Sequence, residues 1–216
     1  NVDIDWFNRL VLEGLYLEDQ DGKVMFEANH VAAGFEIMPL LEGKFVFTTV
    51  RLFGFSFNLR KHTPESPLNL QFVIDAFASK DSIKKEKNID LRFNSIMIRR
   101  GNFSYNVDSE KETPGKFNAK HIDIKNLSAK ISLKAFNKDS VNAHIKKMSF
   151  DEASGFSLNK LSLNVVGNRD SAFVQDFEVR LPQTNLKIGR ARIDLSEIDS
   201  LPALLNNAPI DLNITP

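Results

Sequence analysis

The side chains that could carry acid–base, nucleophilic or metal chemistry are scattered along this sequence. No second type of metal ligand lies at metal-binding spacing from any histidine; the histidines are His30, His62, His121 and His144. The chain has no cysteine, so it forms neither a disulfide nor a thiolate nucleophile. It also lacks a glycine-rich phosphate loop and a serine in a nucleophile elbow. The sequence therefore predicts a protein that is not an enzyme, with no catalytic residue, metal site or cofactor.

The segment Asp19–Gly22 has letters that could begin a calcium loop or form a turn. An EF-hand counted from Asp19 requires Gly at its sixth position and Glu at its twelfth, where Val24 and His30 stand. The segment instead joins two β-rich runs, Leu10–Leu17 and Lys23–Val31, and Asp-Gly is typical of hairpin turns. We therefore predict a β-hairpin here.

The most distinctive chemistry is apolar, and it lies in the segment Lys44–Arg60. Its odd positions form an apolar stripe that Thr49 and Arg51 interrupt; the stripe consists of Phe45, Phe47, Phe53, Phe55, Phe57 and Leu59. A period of two predicts a β-strand with one dry face. The segment is far longer than the usual strand of about five or six residues. We therefore expect Gly54 to mark a bend, a bulge or a change of pairing partner.

This stripe has two interpretations, both consistent with the composition. It is either the core of a two-sheet sandwich or the dry face of an open, curled sheet that accommodates acyl chains. The chain has 18 Phe but only one Trp and two Tyr, so its aromatic surface lacks the polar atoms that suit sugar binding. In the second interpretation, the apolar stripe is a candidate lipid-contacting groove.

The charged residues exclude one class of partner. The 28 basic and 28 acidic side chains give zero formal net charge, which does not favour binding to nucleic acid. Four arginines end or flank apolar strands: Arg51, Arg60, Arg99 and Arg100. We interpret them as charges that protect edge strands from aggregation. The alternative is that they meet anionic head groups at the rim of a groove.

The rest of the chain predicts an all-β fold with three short helices. Helical spacing occurs in 35–42, 69–79 and 197–205, whereas period-two patterns dominate after Ile89. Gly101 is expected at a turn between two strands, and a bulge near Asn159–Lys160 would reset the register of its strand. We predict a long, twisted, largely antiparallel sheet that is curled into a U-shaped groove or partial barrel.

We interpret residues 1–216 as one elongated domain. The charged segment 80–88 could be an exposed link between sub-units 1–79 and 89–216. The sequence has no run of about 18 apolar residues and no signal-peptide pattern, and it begins without Met. We therefore expect a fragment of a larger protein whose targeting or anchoring segment is left out.

Several of these segments together resemble the AsmA-like superfamily, and within it the TamB-type translocation and assembly proteins. The similarity lies in LVLEGLYLEDQDG at 10–22, the segment 37–43, the strand 44–60 and the Asn-led helix after Arg60-Lys61. It extends to IRRGNFSY at 98–105, FDEASGFSL at 150–158 and Leu181-Pro182. The resemblance covers nearly the whole chain, although most of it is β patterning with a few fixed letters.

This resemblance implies a non-enzymatic cell-envelope protein. Its periplasmic β-groove would be part of a conduit for phospholipid transport, for outer-membrane protein assembly, or for both. The implied partners are phospholipid acyl chains, outer-membrane assembly proteins and the inner membrane, the last through an N-terminal helix that this sequence lacks. One alternative is a scaffold that pairs with unfolded β-strands. Another is a β-sandwich surface adhesin or glycan-binding module.

Overall fold

The computed structural model describes residues 2–5, 9–36, 46–78, 92–137, 140–168, 170–194 and 210–213. Eleven strands and one helix, α1 (Gln71–Ala78), account for most of them. The strands are β1 (Val2–Asp5), β2 (Arg9–Glu18), β3 (Val24–Phe35), β4 (Val46–Lys61), β5 (Arg92–Val107), β6 (His121–Asn137), β7 (Ser140–Glu152), β8 (Ser157–Asn168), β9 (Ser171–Arg180), β10 (Asn185–Asp194) and β11 (Ile210–Asn213).

All eleven strands belong to one sheet, in the order in which they occur along the chain. Nine of the ten neighbouring pairs are antiparallel, as the hairpin signals lead one to expect. The two outermost described strands, β1 and β11, do not pair with each other, so the sheet is open. The predicted all-β fold, a long, largely antiparallel and unclosed sheet, is confirmed.

The one parallel pair joins β4 to β5, from Val46 opposite Arg92 to Lys61 opposite Val107. Parallel neighbours require a crossover connection, and α1 lies in this one. The segment 80–88 lies outside the described residues. The described parts on either side of it nevertheless form one continuous sheet, because β4 and β5 are hydrogen-bonded along their length.

The helix α1 agrees with the helical spacing predicted for 69–79. The predicted helix at 35–42 begins at Phe35, which instead ends β3, while 37–42 lies outside the described residues. The predicted helix at 197–205 also lies outside them.

Two predictions about local structure are wrong. Gly101 is not in a turn, because it lies inside the 16-residue strand β5. Glycine is needed there for packing instead, since a Cβ on Gly101 would lie 2.3 Å from the ring of Phe55. The edge-strand interpretation also fails for all four arginines, because Arg51 and Arg60 lie in β4 and Arg99 and Arg100 lie in β5, and both are interior strands.

The described residues form a single layer. Each pair of strands in close contact is a pair of neighbours in the sheet. Few apolar residues in the described part of the chain are therefore buried: Met25, Ala28, Ala32, Phe55, Val107, Ala129, Leu158, Ala172 and Ala191. A sandwich would bury its inner faces almost completely, so the described part of the chain matches the open-sheet interpretation of the apolar stripe.

Candidate functional site

A row of residues with left-handed backbone crosses the sheet near the middle of its strands. Their φ angles lie between +52° and +65°, a region that residues other than glycine rarely adopt. The row comprises Gly14 in β2, Gly54 in β4, Arg100 in β5, Asn126 in β6 and Asp176 in β9. We call it the crease.

The register shows that the crease is also a line of β-bulges. In β5, Ile98 faces Ala129 and Gly101 faces Leu127, so Arg99 and Arg100 together oppose one residue of β6. In β8, the bulge predicted at Asn159–Lys160 is present, because Met148 faces Leu161 while Phe150 faces Leu158. Bulges bend a strand and increase its twist, so a line of them curls the sheet.

The crease changes which residues of each strand are apolar. Four apolar residues of β4 near Gly54 lie opposite apolar residues of a neighbouring strand. Val50 and Leu52 precede Gly54, and Phe55 and Phe57 follow it. The same change from even to odd positions occurs in β6. Cross-strand partners share a face. The strands turn over at the crease, and one apolar face therefore continues from one side of the crease to the other.

The structure therefore divides the predicted groove stripe. Phe45 lies outside the described residues, and Phe47 is placed in β4 opposite Phe35 and Phe93. Phe53 groups with polar residues: it is opposite His30, and the exposed Arg99 guanidinium lies 5.7 Å from its ring centroid.

The other three members of the stripe, Phe55, Phe57 and Leu59, lie on the apolar face. Phe57 has its ring 5.8 Å from Phe26 and 6.2 Å from Phe103. Phe55 lies 6.1 Å from Phe26 and is only 6% exposed. Leu59 is opposite Tyr105. Phe26 and Phe103, on the strands either side of β4, extend this aromatic cluster, and only the cross-strand register reveals them.

Beyond the crease the same face is aliphatic, which the stripe in β4 did not predict. One cross-strand row spans seven strands; its members are Leu10, Ala33, Val50, Ile96, Ile131, Ile145 and Leu163. Strands are about 4.8 Å apart, so the row extends about 29 Å across the sheet. Every member is partly exposed. We call these aliphatic positions and the aromatic cluster together the apolar face.

An ion-pair network holds one end of the sheet, and we call it the clasp. Arg60 at the end of β4 lies 2.9 Å from Asp19 and 2.6 Å from Asp21, both in the β2–β3 turn. Asn69, which precedes α1, donates to Oδ2 of Asp19, the same oxygen that Arg60 contacts, and accepts from the Arg60 backbone N–H. The Asp–Gly turn, the basic residue and the Asn that carry the family resemblance therefore meet in one network.

The Asp19 carboxylate of the clasp is almost completely buried, with its side chain 2% exposed. Burial raises its pKa, but hydrogen bonds from the Lys23 and Asp21 backbone and from Asn69, together with the Arg60 charge, outweigh burial. The pKa of Asp19 is therefore lowered. The partners of Asp19 belong to the β2–β3 turn, to β4 and to the segment before α1. We therefore assign to the clasp the role of holding these three parts of the chain together.

The four histidines lie on different elements: His30 in β3, His62 just after β4, His121 in β6 and His144 in β7. His62 is the nearest to an acidic pair, with its ring nitrogens 3.2 Å from Asp21 and 3.3 Å from Asp108. His121 contacts Asn106, and His144 contacts Asn164. Among the described residues, no group of three or more possible ligands is placed to hold a metal ion.

Comparisons with known proteins do not place this chain in a family. No family model matches it, and no curated protein matches it either. The AsmA-like resemblance stays a prediction from the segments quoted above. Within the described residues, α1 is too short to be a membrane-spanning helix, and no other helix qualifies.

Proposed function

We propose that this chain is a non-enzymatic segment of a periplasmic conduit, and that its apolar face binds phospholipid acyl chains. The observation that carries the proposal is the continuity of the apolar face on both sides of the crease. Among the described residues, no second layer covers it. Uncovered apolar surface of this extent marks a site for lipid or protein in most soluble domains.

The shape of the face favours acyl chains over a folded protein. Its rows run continuously across at least seven neighbouring strands, so an extended apolar ligand finds contacts along its whole length. The side chains are aliphatic or Phe, apart from Tyr105, and they offer few hydrogen bonds that would select a polar ligand. The AsmA-like resemblance supports the same function and suggests an inner-membrane anchor and a role in outer-membrane assembly.

A photo-crosslinking amino acid at single positions of the full-length protein tests this function. Ile131 lies in the aliphatic row, and the exposed Lys134 follows three residues later in β6 as the matched control. Cells labelled with radioactive phosphate should give labelled lipid adducts at position 131 and not at 134. Equal labelling at both positions, or none at 131, would contradict a lipid-binding face.

A further inference from the structure

Six exposed cations lie close together on neighbouring strands, and we call this cluster the basic patch. Arg51 follows and Lys130 precedes a member of the aliphatic row, so they lie on the opposite face of the sheet, which we call the polar face. The basic patch lies on four neighbouring interior strands, β4 to β7. Its members are Arg51, Arg99, Arg100, Lys130, Lys146 and Lys147. Because none of these strands is a described edge, protection of an edge does not explain them.

The register brings like charges together in the patch. Lys130 in β6 lies directly opposite Lys147 in β7, an arrangement that destabilises a sheet. In β5 and in β7 a β-bulge contains two adjacent cations, Arg99–Arg100 and Lys146–Lys147. The arrangement therefore concentrates positive charge where an ordinary sheet would separate it.

Some cations elsewhere in the sheet are neutralised by a carboxylate. Lys160 and Arg180 both pair with Glu178, at 2.5 Å and 2.8 Å. Within the described ranges, no member of the basic patch forms an ion pair with a carboxylate. A bound anion would offset the mutual repulsion of these unpaired cations.

Five of the six cations line an open hollow of about 530 Å³, which we call the basic hollow. Small-molecule sites are typically about 300–1,000 Å³ in volume, so the hollow accommodates a small ligand. Its lining consists of Met97, Ile98, Arg99, Arg100, Ser128, Ala129, Lys130, Lys146 and Lys147.

We propose that the basic hollow binds the phosphate groups of a small anionic ligand. A phosphate ester presents up to three acceptor oxygens and about two negative charges, which suits a cluster of cations better than a single carboxylate does. Arginine also binds phosphate through two parallel hydrogen bonds. The phosphate belongs to a soluble ester or to a lipid head group, since both present the same oxygens. The site is on the polar face and does not depend on acyl chains binding to the apolar face.

Binding measurements on the full-length protein test the proposal. The probes are inorganic pyrophosphate, citrate as a carboxylate anion, vesicles of phosphatidylglycerol and vesicles of phosphatidylcholine. The variant Lys130→Gln/Lys147→Gln removes two charges from the basic hollow. Its matched control, Lys116→Gln/Lys120→Gln, removes two exposed charges elsewhere. All four substitutions are at exposed positions, so both variants should fold.

We expect the hollow variant to bind pyrophosphate about tenfold or more weakly, because it loses two charge-assisted contacts, while the control binds as the unmodified protein does. Loss of pyrophosphate binding shows that phosphate alone suffices. Loss confined to phosphatidylglycerol vesicles assigns the phosphate to a head group. Equal binding of citrate, an equal loss in both variants, or no binding of pyrophosphate and phosphatidylglycerol would overturn the proposal.

Discussion

Gly101 in β5 leaves the space that the ring of Phe55 in β4 occupies. A Cβ at Gly101 would lie 2.3 Å from Cε1 of that ring, closer than any real contact allows. The two residues are on neighbouring parallel strands, next to the crease. This contact explains why Phe55 is buried on a face whose other members are partly exposed.

Gly101→Ala should therefore lower the free energy of unfolding by about 1–3 kcal/mol, the usual cost of overpacking. Chemical denaturation would measure it. Phe55→Leu shortens the side chain that fills the space, so in a double-mutant cycle the two changes together should cost less than their sum. Strictly additive costs would mean that the two residues do not compete for this space.

The clasp predicts a dependence of stability on pH. The pKa of Asp19 is lowered in the folded chain, so its contribution to stability is present above the unfolded pKa, about 3.9, and is lost as pH falls through the folded value. Denaturation from pH 7 to pH 2 should show this loss below about pH 4.

Asp19→Asn is the variant that isolates this contribution. It should lower the free energy of unfolding at pH 7 by roughly 3 kcal/mol, because the buried site of Asp19 loses the charge that pairs with Arg60, and Arg60 keeps only the exposed Asp21 and Asp108 as ionic partners. Its stability should also fall less between pH 4 and pH 2 than that of the unmodified chain. Asp21→Asn is the control, since Asp21 is 45% exposed and its pair with Arg60 should contribute under about 1 kcal/mol. A larger effect at Asp21 than at Asp19 would contradict the assignment.

The burial of Phe55 decides which substitution tests the apolar face. Phe55→Asp would bury a carboxylate beneath neighbouring rings and should unfold the chain, even though the sheet is open. Ile131→Asp should leave the melting temperature within a few degrees of its original value, because that side chain is partly exposed.

Lipid that co-purifies with the full-length protein should decrease in Ile131→Asp, as mass spectrometry of organic extracts would show. Lys134→Asp makes a similar change at an exposed position away from the aliphatic row and should retain the lipid. Unchanged lipid in Ile131→Asp would count against acyl chains on this part of the face.

The sequence predicted the local features whose signal lies within one segment. The hairpin at Asp19–Gly22, the helix α1 and the bulge at Asn159–Lys160 each follow from neighbouring residues. The division of the stripe at Gly54 was harder to foresee, because a period of two continues across it. Phe53 and Phe55 share a parity, and only the left-handed backbone between them places them in different surroundings.

Long-range relationships account for the rest. The sequence analysis singled out the residues of the clasp, but it did not predict their contact. That contact depends on the pairing of β3 with β4, which no local pattern specifies. The turn assigned to Gly101 was wrong because glycine serves turns and close packing equally well. Three residues of the crease are not glycine: Asn126 and Asp176 belong to types that adopt left-handed backbone more often than most, which is only a weak signal, and Arg100 has no such preference.

Arg100 of the crease and its neighbour Arg99 provide a matched test of the backbone geometry. Arg100 has φ +53°, which costs a residue with a Cβ roughly 1 kcal/mol, whereas Arg99 is not left-handed. Glycine adopts this conformation freely, although its greater freedom in the unfolded chain costs about 0.5–1 kcal/mol at any position. At position 100 the two contributions nearly cancel, so Arg100→Gly should be neutral or slightly stabilising.

At position 99 only the entropic cost of glycine remains, and the contact of Arg99 with the ring of Phe53 is lost as well. Arg99→Gly should therefore lower the free energy of unfolding by about 1 kcal/mol or more, while both variants remove the same charge. Urea denaturation of the pair would measure the difference. Equal losses at both positions would show that the backbone at Arg100 is not strained, and the crease would then have no energetic signature at that strand.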